Sequence, residues 1–138
     1  MSFVLDASAA LAWAFERIHP DEAAYAVALL DRMAEEEALV PELWHLEVVN
    51  ALAVAERRGV IEMARAADFL MRLDALPIRT ASATVVARKE QLFGLAREHG
   101  LSAYDASYLD LAIRTGSPLA TFDQRLLRAC ERAGVARA

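Results

Sequence analysis

The stretch FVLDASAALAWAF, Phe3 to Phe15, decides how this chain folds. Three apolar residues, Phe3-Val4-Leu5, run straight into Asp6, and an alanine-rich apolar block follows at once. A short apolar run reads as a buried strand, and the block behind it as a helix. A carboxylate therefore sits where a strand hands over to a helix. The same pattern returns in PLATFDQRLLRAC, Pro118 to Cys130, where an apolar run meets Asp123.

Between these two ends, strand and helix signals alternate. Strands are predicted at Ser2–Leu5, Ala38–Val40, Pro77–Ala81 and Pro118–Phe122, with Val135–Arg137 as a short edge strand. Helices are predicted at Ser8–Glu16, from an Asp21 N-cap to Glu37, at Leu43–Arg58 and at Glu62–Leu73, the last two hinged at Gly59-Val60-Ile61. Three more follow at Ala83–His99, Ala103–Thr115 and Gln124–Ala133, with Gly100 and Gly116 as C-caps. Strands separated by helices need crossover connections, which implies a mainly parallel sheet of four to five strands covered on both faces. No repeat or long linker divides the chain, so residues 1–138 are expected to form one domain. Ligands of open α/β sheets gather at the carboxyl ends of the strands, where the strand order reverses. If the first and fourth strands are neighbours there, Asp6 and Asp123 face one working surface.

Composition narrows the class. Of the 138 residues, 57% are hydrophobic, enough to build a core without disulfides. No uncharged apolar run is long enough to span a bilayer, and no basic segment precedes an apolar one as in a secretory signal. The single Cys130 excludes an internal disulfide and, with the missing signal, points to the cytoplasm. His19, His45 and His99 are scattered, which argues against zinc. The net charge of −5 argues against a polyanionic partner only until the acids are sorted by role.

Four acids do not fit as surface charge. Asp6 and Asp123 precede helices, where an Asp can simply cap the first free N–H groups, although Ser8 could cap the first helix equally well. Glu47 has Leu43, Asn50, Ala51 and Val54 as its helical neighbours, so a carboxylate interrupts an apolar stripe unless the helix is rotated toward solvent. Asp105 lies among Leu101, Tyr108, Leu109 and Ala112, although a first-turn acid also complements the helix dipole. Asp110, four residues before Arg114, reads as a surface ion pair. If the four acids converge they repel one another, and a divalent cation relieves that repulsion. Oxygen-only donors point to Mg²⁺, with Mn²⁺ as substitute, and to in-line phosphodiester chemistry.

At these residues the chain resembles the PIN-domain family, and within it the VapC-type toxins of toxin–antitoxin pairs. The matching stretches are VLDASAALAW, VPELWHLEVVNAL, LSAYDASYLDLA and LATFDQRL, in the family's order and spacing. The resemblance implies a three-layer α/β/α fold and a Mg²⁺-dependent endoribonuclease acting on tRNA or rRNA. It maps the catalytic, metal-binding acids onto Asp6, Glu47, Asp105 and Asp123, and supporting polar positions onto Ser8, Asn50 and Thr121. It also implies a homodimer and a cognate antitoxin that blocks the acidic site. One departure is Asp110, where the motif carries an uncharged residue.

Arg125, Arg128 and Arg132 share one face of the final helix, either as an RNA grip or as an ordinary solvated basic face. Arg57-Arg58 is a second candidate of the same kind. The hairpin Leu43–Leu76, with Trp44, Met63, Phe69 and Met71, carries apolar surface readable as core or as a dimer or antitoxin interface. Two other readings compete: a Mg²⁺-binding phospho-receiver domain and a catalytically inactive PIN-like scaffold. The receiver requires an acid ending a central strand and a lysine ending a later one. Lys89, the one lysine, falls within a helix, and Pro77–Ala81 ends without an acid.

Overall fold

The computed structural model describes residues 1–16, 19–82 and 85–138. In chain order the elements are β1 (Ser2–Leu5), α1 (Ala7–Leu11), α2 (Pro20–Arg32), β2 (Glu37–Val40), α3 (Leu43–Arg57), α4 (Met63–Asp74) and β3 (Ile78–Thr80). α5 (Val85–His99), α6 (Ala103–Thr115), β4 (Leu119–Ala120) and α7 (Gln124–Ala133) complete the chain. Among the described residues the sheet has four strands in the order β3-β2-β1-β4. Every pairing is parallel: Val4 faces Leu39 on one side and Leu119 on the other.

β1 is a continuous apolar run because both its faces are covered, and Phe3, Val4 and Leu5 are completely buried. Crossovers between parallel strands are right-handed, which places α1–α4 on one face of the sheet and α5–α7 on the other. The packing of α1 on α3, and of α6 on β1, β4 and α7, agrees with that assignment. The chain steps outward from β1 to β2 to β3, then returns across the sheet to β4 beside β1. The strand order therefore reverses between β1 and β4, as expected for a doubly wound sheet.

Some predicted boundaries shift, each for a local reason. α1 ends at Leu11 and passes into turns through Ala14, short of the predicted Glu16. Asp21 is not the N-cap of α2. His19 holds that position, Pro20 supplies the first helical residue, and Asp21 lies in the first turn with Glu22. The predicted start of α5 at Ala83 lies outside the described residues. β4 is two residues long, and Val135–Arg137 contributes a single parallel bridge from Arg137 to Leu119 rather than a strand.

Of the four hairpin residues read as interface or core, Trp44 and Phe69 are in the core, while Met63 and Met71 are exposed. Gly116 ends α6 at φ 62°, and its N–H bonds back into the last turn. A side chain is strained in that left-handed conformation, so Gly116→Ala is expected to cost about 1 kcal/mol, measured by urea unfolding.

Candidate active site

The reversal point places Asp6 and Asp123 together, Asp6 directly after the end of β1 and Asp123 three residues beyond the end of β4. Asp6 occupies the N-cap position of α1 but makes no side-chain capping bond. Its Oδ2 instead accepts from the Ser8 hydroxyl at 2.7 Å and from the Thr121 hydroxyl at 2.6 Å. Those hydroxyls are held in turn: Ser8 Oγ accepts the Phe122 N–H at 3.1 Å, and Thr121 Oγ1 accepts the Asp123 N–H at 3.0 Å. A small hydroxyl network thus knits the end of β1 to the end of β4 around one buried carboxylate. Asp123 does serve as a cap, its Oδ1 accepting the Leu126 N–H at 2.9 Å, and it remains exposed at the rim. The capping explanation therefore holds for Asp123 and fails for Asp6.

The other two acids arrive from opposite layers, Glu47 from α3 and Asp105 from α6. Both are half-buried. Ser102 caps α6 by accepting the Asp105 N–H at 3.0 Å, so the Asp105 carboxylate is not needed for that role. Asp6, Glu47, Asp105 and Asp123 line one cleft of about 340 Å³ together with Ser8 and Asn50. Thr121 lies beneath it, fully buried.

The electrostatics of the cleft are adverse to four bare carboxylates. Burial raises the pKa of Asp6 above the usual carboxylate range, against its hydroxyl bonds, and nearby Asp123 adds to the rise. Burial likewise raises Asp105, helped by the charges of Asp6 and Asp123. Glu47 is raised by burial, with Asp6 and Asp105 contributing. An all-oxygen donor set in which the acids destabilise one another is suited to a hard divalent cation. Among the described residues no three His, Cys, Asp or Glu side chains stand as a ready-made metal cage. A cation in this cleft would depend on one or two carboxylates and on water rather than on a closed protein cage.

Two features escaped sequence reading. Tyr108, taken only as an apolar neighbour of Asp105, is fully buried on α6 and donates its hydroxyl hydrogen bond to Glu47 Oε1 on α3. Burial and the nearby carboxylates push its pKa far up, so the phenol remains a donor. Asp110 is not a surface residue. It is 5% exposed, receives a forked pair of bonds from Arg88 on α5, and has Arg114 Nε at 3.4 Å. The pairing with Arg114 stands as read, while its solvent setting does not. Asp110 lines a separate cavity with Arg88 and Arg114, away from the four acids.

On α7, Arg125 and Arg128 are exposed. Arg132 turns to the end of α5, with Nε 3.3 Å from His99 Nδ1 and a terminal nitrogen 3.4 Å from the His99 carbonyl. It therefore supports a helix C-terminus. Arg57 and Arg58 are exposed at the hairpin tip.

A doubly wound parallel sheet with a cleft at its reversal point defines the class of open α/β folds that place their working surface at the carboxyl ends of the strands. The sequence pattern of the PIN domain matches residues 3–132, and the chain belongs to the PIN-domain family. It is 31% identical over 130 residues to ribonuclease VapC3 of Pyrobaculum aerophilum, covering 91% of this chain and 92% of that one. The crystal structure of PAE2754 from the same organism superposes with a TM-score of 0.71 at 26% identity, covering 94% of this chain and 84% of that one. VapBC2 of Rickettsia felis, bound to a DNA fragment from its promoter, gives 0.70 at 16% identity, covering 100% and 98% of the two chains. FitAcB of Neisseria gonorrhoeae gives 0.63 at 20%, covering 99% and 96%, and these last two show the fold alone. Membership of this family, with β3 ending in Thr80 and Lys89 exposed on α5, sets aside the phospho-receiver reading. Among the described residues no helix is long and apolar enough to cross a membrane.

Proposed function

We propose that this chain is a divalent-metal-dependent endoribonuclease, the toxin half of a toxin–antitoxin pair, cutting RNA at the cleft of Asp6, Glu47, Asp105 and Asp123. The observation that carries the reading is the convergence of these four acids in one cleft at the β1/β4 reversal, in a chain resembling a VapC ribonuclease along most of its length. Mg²⁺, or Mn²⁺ in its place, would be held chiefly by Asp6 and Asp105, with Glu47 and Asp123 binding directly or through water. A bound divalent ion supplies an activated water and offsets charge on the phosphodiester as the bond breaks.

The chain's own residues prepare that chemistry. Ser8 and Thr121 fix the Asp6 carboxylate so that it does not rotate away from the cleft. Burial keeps Asp6 short of water, which strengthens its hold on a cation. Asp123, at the rim, can accept a proton or orient a water for the incoming phosphate. Exposed Arg125 and Arg128 on α7 lie beyond Asp123 and are candidates to hold the RNA backbone. A cognate antitoxin would silence the site by covering this cleft, and two copies of the chain would pair as a homodimer. RNA of the tRNA or rRNA class is the expected substrate.

The test uses purified, antitoxin-free protein and a structured RNA, with EDTA, Mg²⁺ or Mn²⁺. Cleavage is expected with either metal, to vanish in EDTA, and to be lost in Asp105→Asn while circular dichroism stays native. Cleavage persisting in EDTA, or undiminished in Asp105→Asn, overturns the assignment.

A further inference from the structure

We infer that Tyr108 is a positioning residue for the cleft, its hydroxyl tethering Glu47 so that this carboxylate stays in the cleft, where it supports, through water, a divalent cation held by Asp6 and Asp105. The inference rests on the proposed metal site and deepens it.

Glu47 reaches the cleft on the longest side chain of the four acids. It has one more rotatable bond than an aspartate, stands on a half-exposed position of α3, and faces two like charges. Asp6 and Asp105 both act on it electrostatically, and their repulsion favours swinging the carboxylate outward to water. The opposing contact is the hydrogen bond from Tyr108 to Oε1, made across 61 positions of sequence between two layers of the fold.

The donor is well suited to that task. Its ring is 0% exposed and belongs to the central core, so the hydroxyl projects from a rigid base rather than from a flexible stem. A buried tyrosine hydroxyl needs a partner, and Glu47 supplies it. Tyr108 also sits three residues after Asp105 on the same side of α6. One helix thus delivers a carboxylate to the cleft and the group that steadies its neighbour from the opposite layer. Phenylalanine would fill the same core space and lose the tether, together with the hydroxyl's contact to the Ala7 backbone.

The test compares wild type, Tyr108→Phe, Glu47→Gln and the double variant without RNA. Mn²⁺ affinity is read by electron paramagnetic resonance, and the Glu47 side-chain carboxyl by ¹³C NMR, assigned from its loss in Glu47→Gln. Tyr108→Phe is expected to fold, to shift the Glu47 carboxyl signal, and to weaken Mn²⁺ binding about tenfold, the lower end for losing a group that orients a metal ligand. The double variant is expected to bind no more weakly than Glu47→Gln alone, because the tyrosine acts through the glutamate. A folded Tyr108→Phe with unchanged Mn²⁺ affinity overturns the positioning role while leaving the metal site intact. A wild type that binds no Mn²⁺ overturns the metal site itself.

Discussion

Asp6→Asn is expected to remove the proposed metal-dependent RNA cleavage and at the same time to raise the melting temperature of the metal-free protein. The loss is expected to be at least about 100-fold, since displacing a group that merely orients a ligand already costs 10–100-fold. The gain in stability follows from burial. Asp6 is 5% exposed and carries a pKa raised above that of the unfolded chain, chiefly by burial. A carboxyl that binds its proton more tightly when folded makes folding less favourable as pH rises from the unfolded pKa through the folded one. At neutral pH the charged form is therefore a burden, and asparagine keeps an oxygen for Ser8 and Thr121 without it.

The variant should melt about 3 °C or more above wild type at pH 8, and the gap should close in acid as Asp6 protonates. Saturating Mg²⁺ should reverse the order, because only wild type gains linkage stabilisation, roughly 2.7 kcal/mol at 100 times the dissociation constant. Thermal melts at several pH values, with and without Mg²⁺, check each part. An Asp6→Asn protein that melts lower than wild type at pH 8 would contradict the account. So would cleavage close to the wild-type level.

How far the site was legible in the sequence depended on whether its logic is local. Strand-to-helix junctions at Asp6 and Asp123 are local patterns, and parallel topology makes their strands neighbours. Glu47 and Asp105 stood out because each breaks an apolar stripe, which a single helix records. Tyr108 gave no such signal: an aromatic residue on an apolar face looks the same whether its hydroxyl is idle or holds a carboxylate from another layer. Asp110 misled for a related reason. An acid four residues before an arginine has one spacing whether the pair lies in water or against another helix, and here the decisive partner, Arg88, is on α5. Asp21 is not a cap because Pro20, favoured at the first helical position, moves the helix start two residues earlier, to an N-cap at His19.

Arg88→Met is expected to lower the melting temperature by about 3 °C while leaving the proposed cleavage chemistry of the folded protein intact. Arg88 is itself partly exposed, so solvent screens the pair, but its removal leaves the buried carboxylate of Asp110 with Arg114 as its remaining partner. Arg114 stays near it, but with a single contact at 3.4 Å and no fork. The site of the damage also matters. α5 contributes only Leu92 as a buried residue, while Val85, Val86 and Phe93 on it are exposed. A helix with so little buried apolar surface leans on its polar anchors, and the Arg88 fork onto Asp110 joins it to α6, the helix that carries Asp105 and Tyr108. Arg114→Met should cost clearly less, and Asp110→Asn placed on Arg88→Met should recover part of the loss by removing the under-paired charge. Melts of the four proteins decide it: if Arg88→Met is no worse than Arg114→Met, the forked pair is not what fixes α5 to α6.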